Sequence, residues 1–262
     1  MSLKSSKLFK GDATNFFSNF LIGIVIGVIL VFMINNYGYN DGKMICDNYV
    51  LNSYLYVVLA FVIMGIAVLV NNKLNLVEKL GMIGFLISFI LSIVLIIVFK
   101  FVDKNDLFKL HLVWVLFFIC LGYTLTITHM VYRNTNVLYT GYILTILVTI
   151  ITGLFGYYYG QYIPKNIDNY LYGALILLII VQLFGPFMVK DLDNFTYITA
   201  FVGLIIFILL LLSYHKKMRN NAEKCTNDNA LPNYPNEAMG LVIKIVNVLQ
   251  DILRLLNGRR RG

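Results

Sequence analysis

Apolar residues run along this chain in long unbroken stretches separated by short polar breaks. Seven such stretches stand out, at residues 17–33, 54–70, 80–99, 110–131, 138–158, 171–189 and 197–213. A helix rises about 1.5 Å per residue, so stretches of this length approach or match the ~30 Å of a bilayer core. Barrel strands would be about ten residues long with alternating polarity, and these runs are continuous. The pattern therefore predicts an all-α, polytopic transmembrane helical bundle. The breaks at 71–79, 100–109, 133–136, 160–169 and 190–194 are short and polar. A longer basic loop is expected at 215–237, with His215, Lys216, Lys217, Arg219 and Lys224, closed by Pro232 and Pro235. The first stretch follows a polar segment with Lys4, Lys7 and Lys10. It is expected to be a retained anchor, because it is long for a signal sequence and no small-residue cleavage site follows Met33.

The last stretch, 238–257, is only semi-hydrophobic. Gly240, Lys244, Asn247, Asp251 and Arg254 recur at steps of 4, 3, 4 and 3. On a helix that spacing makes one continuous stripe. The remaining positions are almost all Leu, Ile, Val or Met. Such a helix has two homes: the headgroup plane, or the bundle with its stripe turned to a polar interior. A plain lipid-facing span is disfavoured by the several kcal/mol that each of Lys, Asp and Arg costs at mid-bilayer. The stripe is expected to face the bundle centre near His215. The expected partner of Lys244 there is a carboxylate or backbone carbonyl on another helix. The organisation expected is thus a polar segment 1–16, a seven-span bundle 17–214, the basic loop 215–237, an amphipathic or re-entrant helix 238–257 and a basic tail 258–262.

Composition supports the membrane reading. The chain has 262 residues, of which 59% are hydrophobic and 13% charged, against about 25% charged in soluble domains. That excludes a soluble enzyme, a disordered chain and a disulfide scaffold. The net charge of +8 sits mainly in breaks and tail, where it reads as topology and contact with anionic headgroups rather than nucleic-acid binding. If the last helix re-enters, the basic residues favour a cytoplasmic 215–237 loop and tail, with the N-terminus outside. Cys46, Cys120 and Cys225 are scattered and are expected to be free thiols.

The C-terminal third resembles the Bax inhibitor family. Members of that family read Asp-Tyr, nine residues, then Asp-Ile/Phe-Ile-Asn/Thr-Leu/Val. This chain reads Asn233-Tyr234, nine residues, then Lys244-Ile245-Val246-Asn247-Val248. Where the family has Tyr/Phe-Asp-Thr-Gln, Tyr214-His215-Lys216-Lys217 stands here, and Asp168 with Gly173 fits the family's Asp-x4-Gly. The resemblance implies six spans and a less hydrophobic seventh helix, so the first stretch is an addition. It also implies a pair of facing aspartates, associated with pH-dependent calcium leak, since two buried carboxylates cannot both ionise cheaply. His215 and Lys244 occupy those two places. Calcium needs hard oxygen ligands, so conduction through that pair is in doubt.

The candidate ion-responsive or pH-sensing residues are therefore His215, Lys244, Asn247 and Asp251. His215 competes with a plain solvated helix-end histidine. His111 and His129 lie 18 residues apart on one stretch, about 27 Å, and are expected to be separate helix-contact or interfacial histidines. No catalytic residue, metal site or cofactor is expected. The expected partners are the bilayer and other membrane proteins or further copies of the chain, in an endoplasmic reticulum, Golgi, related intracellular or viral membrane. The richness in Ile, Asn, Lys, Tyr and Phe fits an AT-rich genome, such as that of a large DNA virus or a protist. Two rival readings are a small transporter or channel of another family, and a structural membrane protein that binds partner helices.

Overall fold

The computed structural model describes residues 13–132, 136–164, 166–228 and 231–258. The lysines at 4, 7 and 10 and the arginines at 259–261 lie outside them. Eight helices appear among the described residues: α1 Ala13–Gly38, α2 Tyr49–Lys73, α3 Leu76–Phe101, α4 Leu107–Tyr132, α5 Asn136–Tyr159, α6 Ile167–Met188, α7 Leu192–Asp228 and α8 Tyr234–Gly258. The first seven are long and apolar enough to cross a membrane, and each contains one of the predicted stretches to within a residue. α8 is not among those seven. Two short strands, β1 Tyr39–Asn40 and β2 Lys43–Met44, form a hairpin after α1. Asp41 and Gly42 make its turn, both at positive φ, which is the geometry that Asp-Gly favours between two strands.

Helix starts follow local polar chemistry. Asp106 accepts the backbone N–H of Lys109 (3.1 Å) at the start of α4, and Asp191 accepts that of Asn194 (3.0 Å) at the start of α7. Asn233 accepts that of Asn236 (3.1 Å) at the start of α8. Each is an acceptor side chain satisfying a donor that the first helical turn leaves unpaired. α3 contains a break at Gly81, whose φ of 51° and ψ of −135° are non-helical.

The chain divides into two compact units. One comprises the described residues of Met1–Lys43 and Tyr54–Ile127. Its core is aromatic: Trp114 packs edge-on to Tyr56 (5.4 Å between centroids) and to Phe118 (4.7 Å). α2 and α4 approach closely because Gly122 lies against Ala67 and the Met64 carbonyl, where a methyl would not fit. Above them His111 donates from Nδ1 to the Leu107 carbonyl (2.6 Å), leaving Nε2 to accept from Tyr56 (2.6 Å) and Tyr39 (3.2 Å).

The other unit comprises Met44–Ser53 and the described residues of Thr128–Gly262, and holds α5 to α8. Leu171 and Leu178 of α6 pack on Ile206 and Leu210 of α7. α8 is the most enclosed helix, buried along most of its length from Tyr234 to Leu253. Gly141 of α5 admits Leu253 and Leu249 of α8.

Two expectations are corrected. The 215–237 stretch is mostly helix, since α7 continues to Asp228. No Gly or Pro interrupts residues 214–228, and Lys, Met, Arg, Ala and Glu are good helix formers. Arg219 and Glu223 add an i, i+4 ion pair (3.1 Å). Cys46 and Cys225 are not free thiols: they form a disulfide with Cα atoms 5.5 Å apart, across 179 residues of sequence. The six candidate spans α2 to α7 lie between them. An even number of crossings returns the chain to the face it left, so both cysteines meet there. Cys120 is the free cysteine among the described residues.

Candidate functional site

α8 runs antiparallel to α7 as an uninterrupted helix. Glu237 meets Asn221, Gly240 meets Tyr214, Asp251 meets Gly203 and Gly258 meets Tyr197. At 25 residues it is about 37 Å long, and it accompanies the whole apolar run of α7 instead of turning back. The chain therefore leaves α8 beside the first turns of α7.

Two residues of the stripe are enclosed and three are not: Gly240, Asn247 and Arg254 are only partly buried, and the Arg254 side chain is 40% exposed. Lys244 and Asp251 are 8% and 4% exposed. The reason lies in the neighbouring helices, which offer small residues where the stripe needs room. Gly240 is itself small and admits the Tyr214 ring edge, and Gly203 on α7 clears space for the Asp251 carboxylate.

Lys244 finds an aromatic partner. Its Nζ lies 4.1 Å from the Tyr214 ring centroid, a close cation–π contact. It also donates to the Gly240 carbonyl of its own helix (3.1 Å). The expected carboxylate or carbonyl on another helix is replaced by a π face on α7 and a carbonyl on α8. Among the described residues no carboxylate oxygen lies within ion-pair distance of it. Asp168, Glu237 and Lys217 act on it at longer range. Tyr214 also donates to the Asn236 carbonyl (3.4 Å).

His215 is 1% exposed, so it is not a solvated helix-end histidine. Its Nδ1 donates to the Leu211 carbonyl (2.7 Å). Its burial depends on Gly156 of α5, where a methyl would stand 2.6 Å from the His215 Cβ and 2.7 Å from the Leu212 carbonyl. Lys244 packs on the ring of Tyr214, the residue before His215 on α7, so the two residues standing where the resemblance implies an acidic pair are linked through Tyr214. Asn247 contributes less: its amide donates to the Ile243 carbonyl of its own helix (2.7 Å).

Asp251 stands apart, two turns along α8. One carboxylate oxygen meets Arg254 at 3.4 Å, and the other has no hydrogen-bond partner among the described residues.

Glu237, Tyr214, Tyr49 and Gly156 were not singled out from sequence. Glu237 is 3% exposed; its Oε1 accepts from Asn221 (2.7 Å) and Tyr49 (3.2 Å). The signal for Tyr214 lay in its place one residue before His215. A buried acid in the first turn of a helix gives no such signal. Around the site, Lys216 and Arg219 of α7 donate to the Ile163 and Tyr157 carbonyls. Cations thereby satisfy carbonyls left open at the end of α5 and just beyond. Asp168 at the start of α6 accepts from Ser213 of α7 (2.5 Å). Among the described residues no group of three or more His, Cys, Asp or Glu side chains gathers to hold a metal ion.

The arrangement holds one cation internally against a π face, beside a buried imidazole, where the resemblance implies two carboxylates. A tethered ammonium there repels a second cation instead of binding it. Compared with known proteins, the model of the family described as Inhibitor of apoptosis-promoting Bax1 matches residues 46–261. Among curated proteins none matches the chain.

Proposed function

The chain belongs to the Bax inhibitor family, and on that premise we propose that it dampens cell death or adjusts ion balance in an intracellular membrane without leaking calcium through the α7–α8 site. It works as a non-enzymatic, multi-pass membrane protein in endoplasmic reticulum, Golgi or a related membrane. The observation that carries this reading is the Lys244 ammonium seated 4.1 Å from the Tyr214 ring. A fixed positive charge occupies the place where a divalent cation would need carboxylate oxygens. His215 beside it supplies no anionic ligand at any pH.

The test is calcium flux into proteoliposomes between pH 5.5 and 8, comparing the wild type with the double substitution His215→Asp, Lys244→Asp. The wild type is expected to be silent and the double variant to leak calcium in a pH-dependent way. Calcium flux through the wild type, abolished by blocking this site, would overturn the reading.

A further inference from the structure

The Cys46–Cys225 disulfide lies where the first turn of α8 is held. Cys46 sits in the short segment between the hairpin and α2, and Cys225 in the last turn of α7, one turn beyond Asn221. The bond therefore ties residues 45–53 across to the polar extension of α7. Between those anchors runs the start of α8. The Tyr234 hydroxyl donates to the Ile45 carbonyl, and the Tyr234 and Tyr49 rings meet edge-on at 5.4 Å. The Tyr49 hydroxyl reaches Glu237 from one side as Asn221 reaches it from the other. Tyr234 is 0% exposed and Glu237 3%. Residues 45–53 thus form a strap, braced within itself by Asn52 donating to the Asp47 carbonyl (3.2 Å) and Ser53 to the Tyr49 carbonyl (2.9 Å).

We propose that this disulfide is a redox latch: oxidised, it clamps the first turn of α8 and keeps Glu237 buried, and reduced, it lets the strap and that turn open. Without the bond, residues 45–53 are held to α7 and α8 by noncovalent contacts alone, the hydrogen bonds above and the packing of Tyr49 on the buried Tyr234, and such contacts open locally where a covalent tie does not. With it, the two ends are held together across a very long intervening loop, where a crosslink removes the most chain freedom. The reductant is a dithiol. Its thiolate attacks the Sγ of Cys46, which is half-buried where Cys225 is enclosed. The S–S bond breaks, a mixed disulfide forms on Cys46, and Cys225 leaves as a thiol. The second thiol of the reagent then displaces Cys46. Two electrons and two protons pass to the protein, and the dithiol becomes a disulfide. Disulfides that open in reducing compartments are those that sense or regulate. The latch operates whether or not the α7–α8 site moves any ion.

The experiment is hydrogen–deuterium exchange on the full chain in lipid nanodiscs, with and without dithiothreitol. Reduction is expected to remove protection from peptides covering 45–53 and 234–241 while leaving α6 peptides unchanged. The double substitution Cys46→Ser, Cys225→Ser should match reduced wild type and ignore the reagent. Cys120→Ser should respond as wild type does. The proposal is overturned if alkylation labels all three cysteines before reduction. It is equally overturned if reduction, verified by two newly alkylated thiols, leaves the exchange of both peptides unchanged.

Discussion

Lys244 offers a direct test of how this bundle tolerates a buried charge. Lys244→Met keeps an unbranched chain of similar length and removes the ammonium. What is lost is a cation–π contact worth about 2 kcal/mol when desolvated and a charged hydrogen bond worth about 1.5–3 kcal/mol. What is relieved is the desolvation of a side chain that is 8% exposed and lacks an ion-paired carboxylate, a cost of several kcal/mol. The two sides nearly cancel, and apolar replacement of a buried ion is often stabilising by about 1–4 kcal/mol. The variant is therefore expected to be as stable as wild type at pH 7, or more stable by about 1–3 kcal/mol. Tyr214→Leu should instead lower stability by about 2–4 kcal/mol, because it strands the ammonium. Lys244→Met should rescue part of that loss.

Thermal unfolding followed by circular dichroism in detergent micelles measures all of this. A loss above about 2 kcal/mol in Lys244→Met at pH 7 would refute the reasoning, since it would require an ion-pair partner that the described residues do not offer.

The other predictions concern single contacts. One oxygen of the buried Asp251 carboxyl has no hydrogen-bond partner among the described residues, so Asp251→Asn, which keeps the shape and removes the acid, should not lower stability; a loss above about 1 kcal/mol in the melting curve would refute that reading. Gly156→Ala places a methyl 2.7 Å from the Leu212 carbonyl and 2.6 Å from the His215 Cβ, and should cost about 1–3 kcal/mol by overpacking. An unchanged melting temperature would show that α5 and α7 are free to separate there.

Much of the architecture was legible because its signals are local. Seven apolar runs announce seven helices, since backbone polar groups in lipid must pair within their own segment. The 4-3-4-3 spacing of the α8 stripe put Lys244 and Asp251 on one face, and both are buried. Asn233, standing where the resemblance has Asp, caps the start of α8, a role either side chain can fill. The helical continuation of α7 to Asp228 was hidden by its charges, which sequence reads as loop although nothing in them breaks a helix.

What only the tertiary structure decided are the pairings between distant segments. The Cys46–Cys225 bond spans 179 residues, and no spacing rule reaches that far. Lys244 pairs with the face of a tyrosine, a partner that carries no charge to mark it in a sequence. Gly156 and Gly203 read as ordinary small residues of membrane helices, and only the packing shows that one makes room for His215 and the other for Asp251. Periodicity along one helix fixes which residues share a face. The partner that face meets depends on the path of the whole chain, and that is settled by packing across helices far apart in sequence.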